Sequence, residues 1–119
     1  MLQLYNYVIW FKVCRKARNK FKQSANSLLI LAGAYTYYKV IGKAFTMRKL
    51  LGFITFFNGN KIKFYLSKLM LQGYIIESGK SYGYPTYIVS DLGNDVMNEL
   101  SLSYERELSL FCSMYNIIL

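Results

Sequence analysis

A mainly α-helical fold with a small β-hairpin wing, arranged as a winged helix-turn-helix, is expected from three features of the sequence. Two short helical patterns within residues 46–72 are separated by Asn58-Gly59-Asn60. Two strand-like runs then flank a Gly- and Ser-rich segment, and Ser90-Asp91-Leu92-Gly93 opens another helix. The 119 residues suffice for one domain with its own core. No repeat, low-complexity tract or linker divides them, so residues 1–119 are expected to form a single winged-helix domain.

Taken in order, residues 3–22 make a first helix, with Leu4, Tyr7, Val8, Phe11, Cys14 and Phe21 recurring at helical spacing. Lys12, Arg15, Lys16, Arg18, Lys20 and Lys22 crowd the remainder, while Ile9, Trp10 and Val13 lie off the stripe. Ser24 is the expected N-cap of a second helix through about Tyr38, buried through Leu28, Leu29, Leu31, Ala32, Tyr35 and Tyr38. Gly42 ends it, and Lys43-Ala44-Phe45 is expected to add an extended segment beside the later hairpin.

Thr46 is placed as N-cap of a third helix to about Phe57, with Leu50, Leu51, Ile54 and Phe57 inward. Asn58-Gly59 reads as a turn, and Asn60 as cap of a fourth helix over residues 61–72. Gly73 suits the left-handed position after the last turn. Residues 74–77 and 85–89 are the two strands, residues 78–83 the hairpin tip, and Pro85 fits an edge or first position. Ser90 or Asp91 caps a last helix patterned by Leu92, Val96, Met97 and Leu100. That pattern fades at residues 101–103 and resumes at Leu108, Phe111, Met114, Tyr115 and Ile118.

Charge is distributed unevenly. Residues 1–76 carry 13 Lys or Arg and no acid, for +13, whereas residues 77–119 carry −4. Such a field attracts a polyanion, with nucleic acid the first candidate and anionic lipid the second. The apolar run at residues 28–38 is far below the roughly 20 residues that span a bilayer. Cys14 and Cys112 lack the spacing of a metal pair, and both are expected to be free, packed thiols in a reducing cytoplasm. The chain has no His, all six acids lie beyond residue 76, and no glycine-rich phosphate loop occurs. Acid–base pairs, metal clusters and activated nucleophiles are therefore poorly supplied, and no enzyme activity, cofactor or metal is expected.

With this order of elements in place, two stretches resemble the winged-helix regulators of the MarR type, with PadR-like and plasmid-partition winged helices similar in shape. One is Leu69-Met70-Leu71-Gln72-Gly73-Tyr74-Ile75-Ile76, where in that family a buried Leu near the end of the recognition helix precedes a Gly and an apolar wing strand. The other is Tyr87-Ile88-Val89-Ser90-Asp91-Leu92-Gly93, which looks like the wing strand leading into a Thr/Ser-x-x-Gly helix start. The resemblance covers residues 24–100. It implies double-stranded DNA as partner, a palindromic site, a homodimer, and a transcriptional regulator, with repressor favoured over activator.

On the fourth helix, Ile62, Leu66 and Leu69, with Tyr65 beside them, are expected to face inward. Asn60, Lys61, Lys63, Phe64, Ser67 and Lys68 are left for DNA. Lysines and a serine there suit guanine acceptors or phosphates, and Phe64 either meets a thymine methyl or belongs to the core. Thr46, Arg48 and Lys49 are expected near phosphate, with Arg48 as the clamp. Lys80, Ser81, Tyr82 and Tyr84 are the wing's candidates for a flanking groove.

The basic run at residues 12–22 extends this footprint, rests on anionic membrane as an amphipathic segment, or is a solvated face. Residues 1–22 and 101–119 are the expected dimerisation helices, through Leu4, Tyr7, Val8, Trp10 and Phe11 with Leu108, Phe111, Met114, Tyr115 and Ile118, unless these pack within the subunit. Two other functions fit the same fold: a plasmid or viral partition or replication accessory that binds DNA, and a winged-helix protein-interaction module with no DNA role. The expected location is the cytoplasm, at the nucleoid, or a host cytoplasm for a viral or plasmid product. No small-molecule effector is specified by these residues.

Overall fold

The computed structural model describes residues 2–54 and 57–104, with side chains from Phe11 onward. Among the described residues the elements follow in the order α1 (Leu2–Phe21), α2 (Ala25–Ile41), α3 (Met47–Phe53), α4 (Gly59–Leu71), β1 (Ile75–Ser81), β2 (Tyr84–Val89) and α5 (Asp91–Ser103). The fold is mainly helical with one two-stranded antiparallel hairpin.

α2 is the axis on which the other helices and β2 pack. Ser24 caps it by accepting from the Ser27 backbone N–H at 3.1 Å, and Gly42 ends it in the left-handed conformation at φ 76°. Six consecutive residues, Ser27–Ala32, are buried, so the helix is enclosed on all sides at its start. The Ser27 hydroxyl is satisfied by donating to Gln23 Oε1 at 3.2 Å. Helical register then carries Ala34 and Tyr37 inward and turns Tyr38 out. The expected burial of Tyr38 is thus corrected: it is 44% exposed, and Tyr37 packs edge-on against Phe45 and Phe53 instead. The helix also runs one turn past Tyr38.

On α1, the described half faces α2 through Val13, Cys14 and Ala17, all fully buried. Val13, expected off the stripe, is core, while Phe11 and Phe21 are half-buried at its border. Small Cys14 and Ala17 let the two helices approach closely where larger stripe residues would hold them apart. Burial pushes the Cys14 thiol up to about 12, because the thiolate would have to be desolvated. At the end of α1, Lys20 pairs with Glu99 of α5 at 3.3 Å and donates to the Ser103 hydroxyl at 2.9 Å.

α3 is shorter than expected, ending at Phe53 rather than Phe57. Ile54 leaves the helix and buries its side chain against Gly33 of α2, where an added Cβ would lie 2.3 Å from Ile54 Cδ1. Thr46 caps α3 as expected, accepting from the Lys49 N–H at 3.2 Å. The cap of α4 is Asn58, not Asn60: its side chain accepts from the Lys61 N–H at 2.9 Å, and Gly59 and Asn60 belong to the first turn. A buried row of Ile62, Leu66 and Leu69 fixes the rotation of α4 as the sequence suggests.

α4 ends in paired bonds, Tyr74 N–H to Leu69 C=O and Gly73 N–H to Met70 C=O, each 3.0 Å, with Gly73 at φ 79°. This is a Schellman closure. The following hairpin pairs Ile75 with Val89 and Ser81 with Tyr84, with a bulge between Glu77 and Gly79. Its strands are longer than expected, and the tip is only Tyr82-Gly83, both in the left-handed region at φ 52° and 83°, as a type I′ turn requires. Phe45, fully buried, exchanges backbone bonds with Tyr87 at 3.0 and 2.7 Å, forming the expected extended segment beside the hairpin. Ser90 caps α5, accepting from the Gly93 N–H at 3.1 Å and donating to the Gly73 C=O, which ties the start of α5 to the end of α4. Gly93 is required by this approach, since a Cβ there would lie 2.3 Å from the Tyr74 C=O oxygen. α5 buries Met97 and Leu100 but leaves Leu92 half exposed.

Leu4, Tyr7, Val8, Trp10, Cys112 and the apolar series at residues 108–118 lie outside the described side chains. Among the described residues no helix is long and apolar enough to cross a membrane.

Candidate nucleic-acid interface

The face of α4 opposite Ile62, Leu66 and Leu69 carries the largest group of sequence-predicted residues. Asn60, Lys61, Lys63, Phe64 and Ser67 are exposed and Lys68 is half-buried. Asn60, Lys63, Phe64, Ser67 and Lys68 line one open depression together with Leu71, and Lys61 lies outside it. Phe64 is therefore not core. Its ring is 63% exposed and stands edge-on to Tyr65, centroids 5.1 Å apart, while the Tyr65 hydroxyl accepts from the Asn26 amide at 3.3 Å. Tyr65 thus supports Phe64 from the core side and holds it outward.

A second group forms where the start of α3 faces the hairpin. Thr46, Arg48 and Lys49 on one side, with Ser81, Tyr82 and Tyr84 on the other, line a cleft of about 740 Å³. Met47, Pro85 and Tyr87 complete it, and none of the three stands out in the sequence as a site residue. Thr46 spends its hydroxyl on the α3 cap, Ser81 is half-buried, and Tyr82 is fully exposed. Lys80 is exposed but lines neither concavity; it pairs with Pro85 in the hairpin.

Leu71, 90% exposed, is the residue of the α4 face that the sequence reading omits. Its position seven residues after Phe64, two turns along the same face, is the signal that places it there.

Among the described residues no acid opposes either group. Arg48, Lys49, Lys61, Lys63 and Lys68 have no acidic partner among the described residues, and neither concavity has an acid in its lining. A cationic surface whose charged groups are all donors is suited to phosphate oxygens and to base acceptors, and Asn60, Ser67 and the tyrosine hydroxyls add groups that both donate and accept. Among the described residues no cluster of three or more His, Cys, Asp or Glu could hold a metal. The buried Cys14 thiol, held protonated and away from both groups, is a poor nucleophile.

Compared with protein-family models, with characterised proteins and with solved structures, the chain matches none of them.

Proposed function

We propose that this protein is a winged helix-turn-helix DNA-binding protein in which α4 enters the major groove of duplex DNA and α3 and the hairpin hold the flanking backbone. The observation that carries the reading is the two-sided character of α4: three buried aliphatics on one face, and four exposed polar or cationic residues with Phe64 on the other. At 13 residues the helix is about 20 Å long, enough to follow one exposed stretch of a groove roughly 12 Å wide. Lys61 and Lys63, in its first turns, have the donors that guanine O6 and N7 or a phosphate accept. Phe64 offers an apolar contact of the kind a thymine methyl makes. Arg48 and Lys49 supply backbone contacts from α3, and Lys80 from the hairpin.

A dimer on a palindrome follows from the small footprint of one such unit, because two copies double the contacts and fix half-site spacing near one helical turn. Transcriptional regulation, with repression favoured, is the role this binding mode supports; partition or replication accessory function uses the same surface. Selection of bound duplexes from a random pool, repeated at two salt concentrations, tests the reading. Enrichment of one palindrome and a steep fall of affinity with salt are expected. Charge reversal by Lys61→Glu with Lys68→Glu is expected to abolish retention of that duplex, while equal, weak binding to every sequence overturns sequence-specific reading.

Leu71 supports a second reading, a protein-docking face, because an almost fully exposed Leu beside Phe64 has no polar role on DNA. In that case the charge-reversed protein retains whatever DNA affinity the wild type has, and Leu71→Asp removes the protein partner.

A further inference from the structure

The turn of the hairpin is built against local preference. A type I′ turn takes Asn-Gly or Gly-Gly because both positions are left-handed; here the first is Tyr82 at φ 52°. A bulky residue in that conformation is strained, and its ring gains nothing from the fold, being 100% exposed. Tyr84, on the other side of the turn, is 68% exposed. Both rings border the cleft of about 740 Å³ whose opposite wall presents Arg48 and Lys49, and among the described residues no acid lines it. That volume is in the range of small-molecule sites.

The combination specifies a ligand with a flat, stackable face and an anionic group. A base inside a duplex offers only its edge to a protein, because its faces are covered by its neighbours. A tyrosine ring stacks on a base only where a face is free, at an end, an overhang or a bulge. Resting on the DNA-binding reading above, we propose that this cleft takes one unpaired nucleotide at the border of the bound duplex. Its base stacks on the tyrosines of the hairpin, and its phosphate is held by Arg48 and Lys49. The preferred substrate is then a duplex bearing a short single-stranded extension or an opened end, and Tyr82 is the residue that distinguishes it from a closed duplex.

The test uses the full chain and three DNAs with the same duplex: blunt, with a 5′ extension and with a 3′ extension, each extension carrying 2-aminopurine at its first unpaired position. Binding to one extended form is expected to be about tenfold tighter than to the blunt form, with quenching of the 2-aminopurine as it stacks. Tyr82→Gly with Tyr84→Ala is expected to bring the ratio of extended to blunt affinity to one and to remove the quenching. Tyr82→Gly alone relieves the left-handed strain and is expected to raise the thermal midpoint while lowering the ratio. Lost discrimination in a protein no less stable than wild type excludes misfolding as its cause. Equal wild-type affinity for blunt and extended forms overturns the inference and leaves duplex binding standing; no binding to any of the three overturns both.

Discussion

α2 and α4 are neighbouring helices in contact, yet they use their sequences in opposite ways. α2 encloses seven apolar side chains, and its single charged residue is Lys39 near its end; α4 buries three, rests Tyr65 and Met70 against the core and turns a whole face to solvent. Tolerance to substitution differs accordingly. In α2 almost any change is felt by packing, since close-packed interiors cannot absorb even one missing methylene without loss. In α4 the outward residues are free of structural duty, which is the condition under which a surface can carry chemistry of its own.

Leu31→Ala is expected to have the largest effect on stability. Leu31 is fully buried within α2, and truncation removes its transfer energy and leaves a cavity, an expected loss of about 2–5 kcal/mol. Urea denaturation reads this directly. A loss below about 1 kcal/mol would mean that α2 is not the packing axis.

Alkaline pH probes the same core from the α1 side. The Cys14 thiol, pushed up from 9.0 to about 12, stays protonated in the folded chain while the unfolded chain ionises. Its contribution to stability is therefore fully present below pH 9 and is lost as pH rises toward 12. The slope approaches about 1.4 kcal/mol per pH unit. Lysines and tyrosines titrate in the same range, so the measurement is the difference between wild type and Cys14→Ala across that window. Parallel stability curves would show that the thiol is not desolvated.

How far these features were readable from the sequence depended on whether the cause was local. Ser24 and Thr46 as caps, Gly42 as a helix end and Gly73 as a left-handed one follow from the chemistry of one or two residues, and the structure has them all; of Ser90 and Asp91, both able to cap α5, it uses Ser90. The inward row of Ile62, Leu66 and Leu69 is also expected from spacing, but Phe64 leaves a rotated α4 open in the sequence, and its exposure in the structure decides for the expected row. Errors arose where a distant partner decides. α3 stops early because Ile54 is drawn into the space over Gly33, 21 positions back in the chain. Val13 is core, and Tyr37 rather than Tyr38, because α1 and the Phe45 ring select one of several apolar faces. The Asn58-Gly59 pair looked like a turn since Asn serves turns and caps alike; only the helix it starts tells the two apart. In the hairpin, Gly and Ser suggested a loose six-residue tip, but strand pairing across the bulge shortens it to Tyr82-Gly83. The α3–hairpin cleft was the least visible feature, since it needs both the tight turn and the bridge from Phe45 to Tyr87 that draws α3 toward the hairpin.

The smallest expected effect on stability is also the most informative about α4. Phe64→Ser removes a residue that is already 63% exposed and whose ring stands T-shaped against Tyr65. Tyr65 keeps its bond from Asn26, so the core beneath stays in place and stability is expected to stay within about 0.5 kcal/mol of wild type. A ring of this size left in water has little to offer the fold. On DNA the same change is expected to weaken binding to the selected site several-fold and to relax preference at one A·T position, where a thymine methyl loses its apolar contact. Non-specific binding, which depends on the lysines, should be unchanged. A large drop in stability would instead assign Phe64 to the fold and make α4 a second α2. Unchanged affinity at every base position would leave the α4 surface cationic but unable to read sequence through this ring.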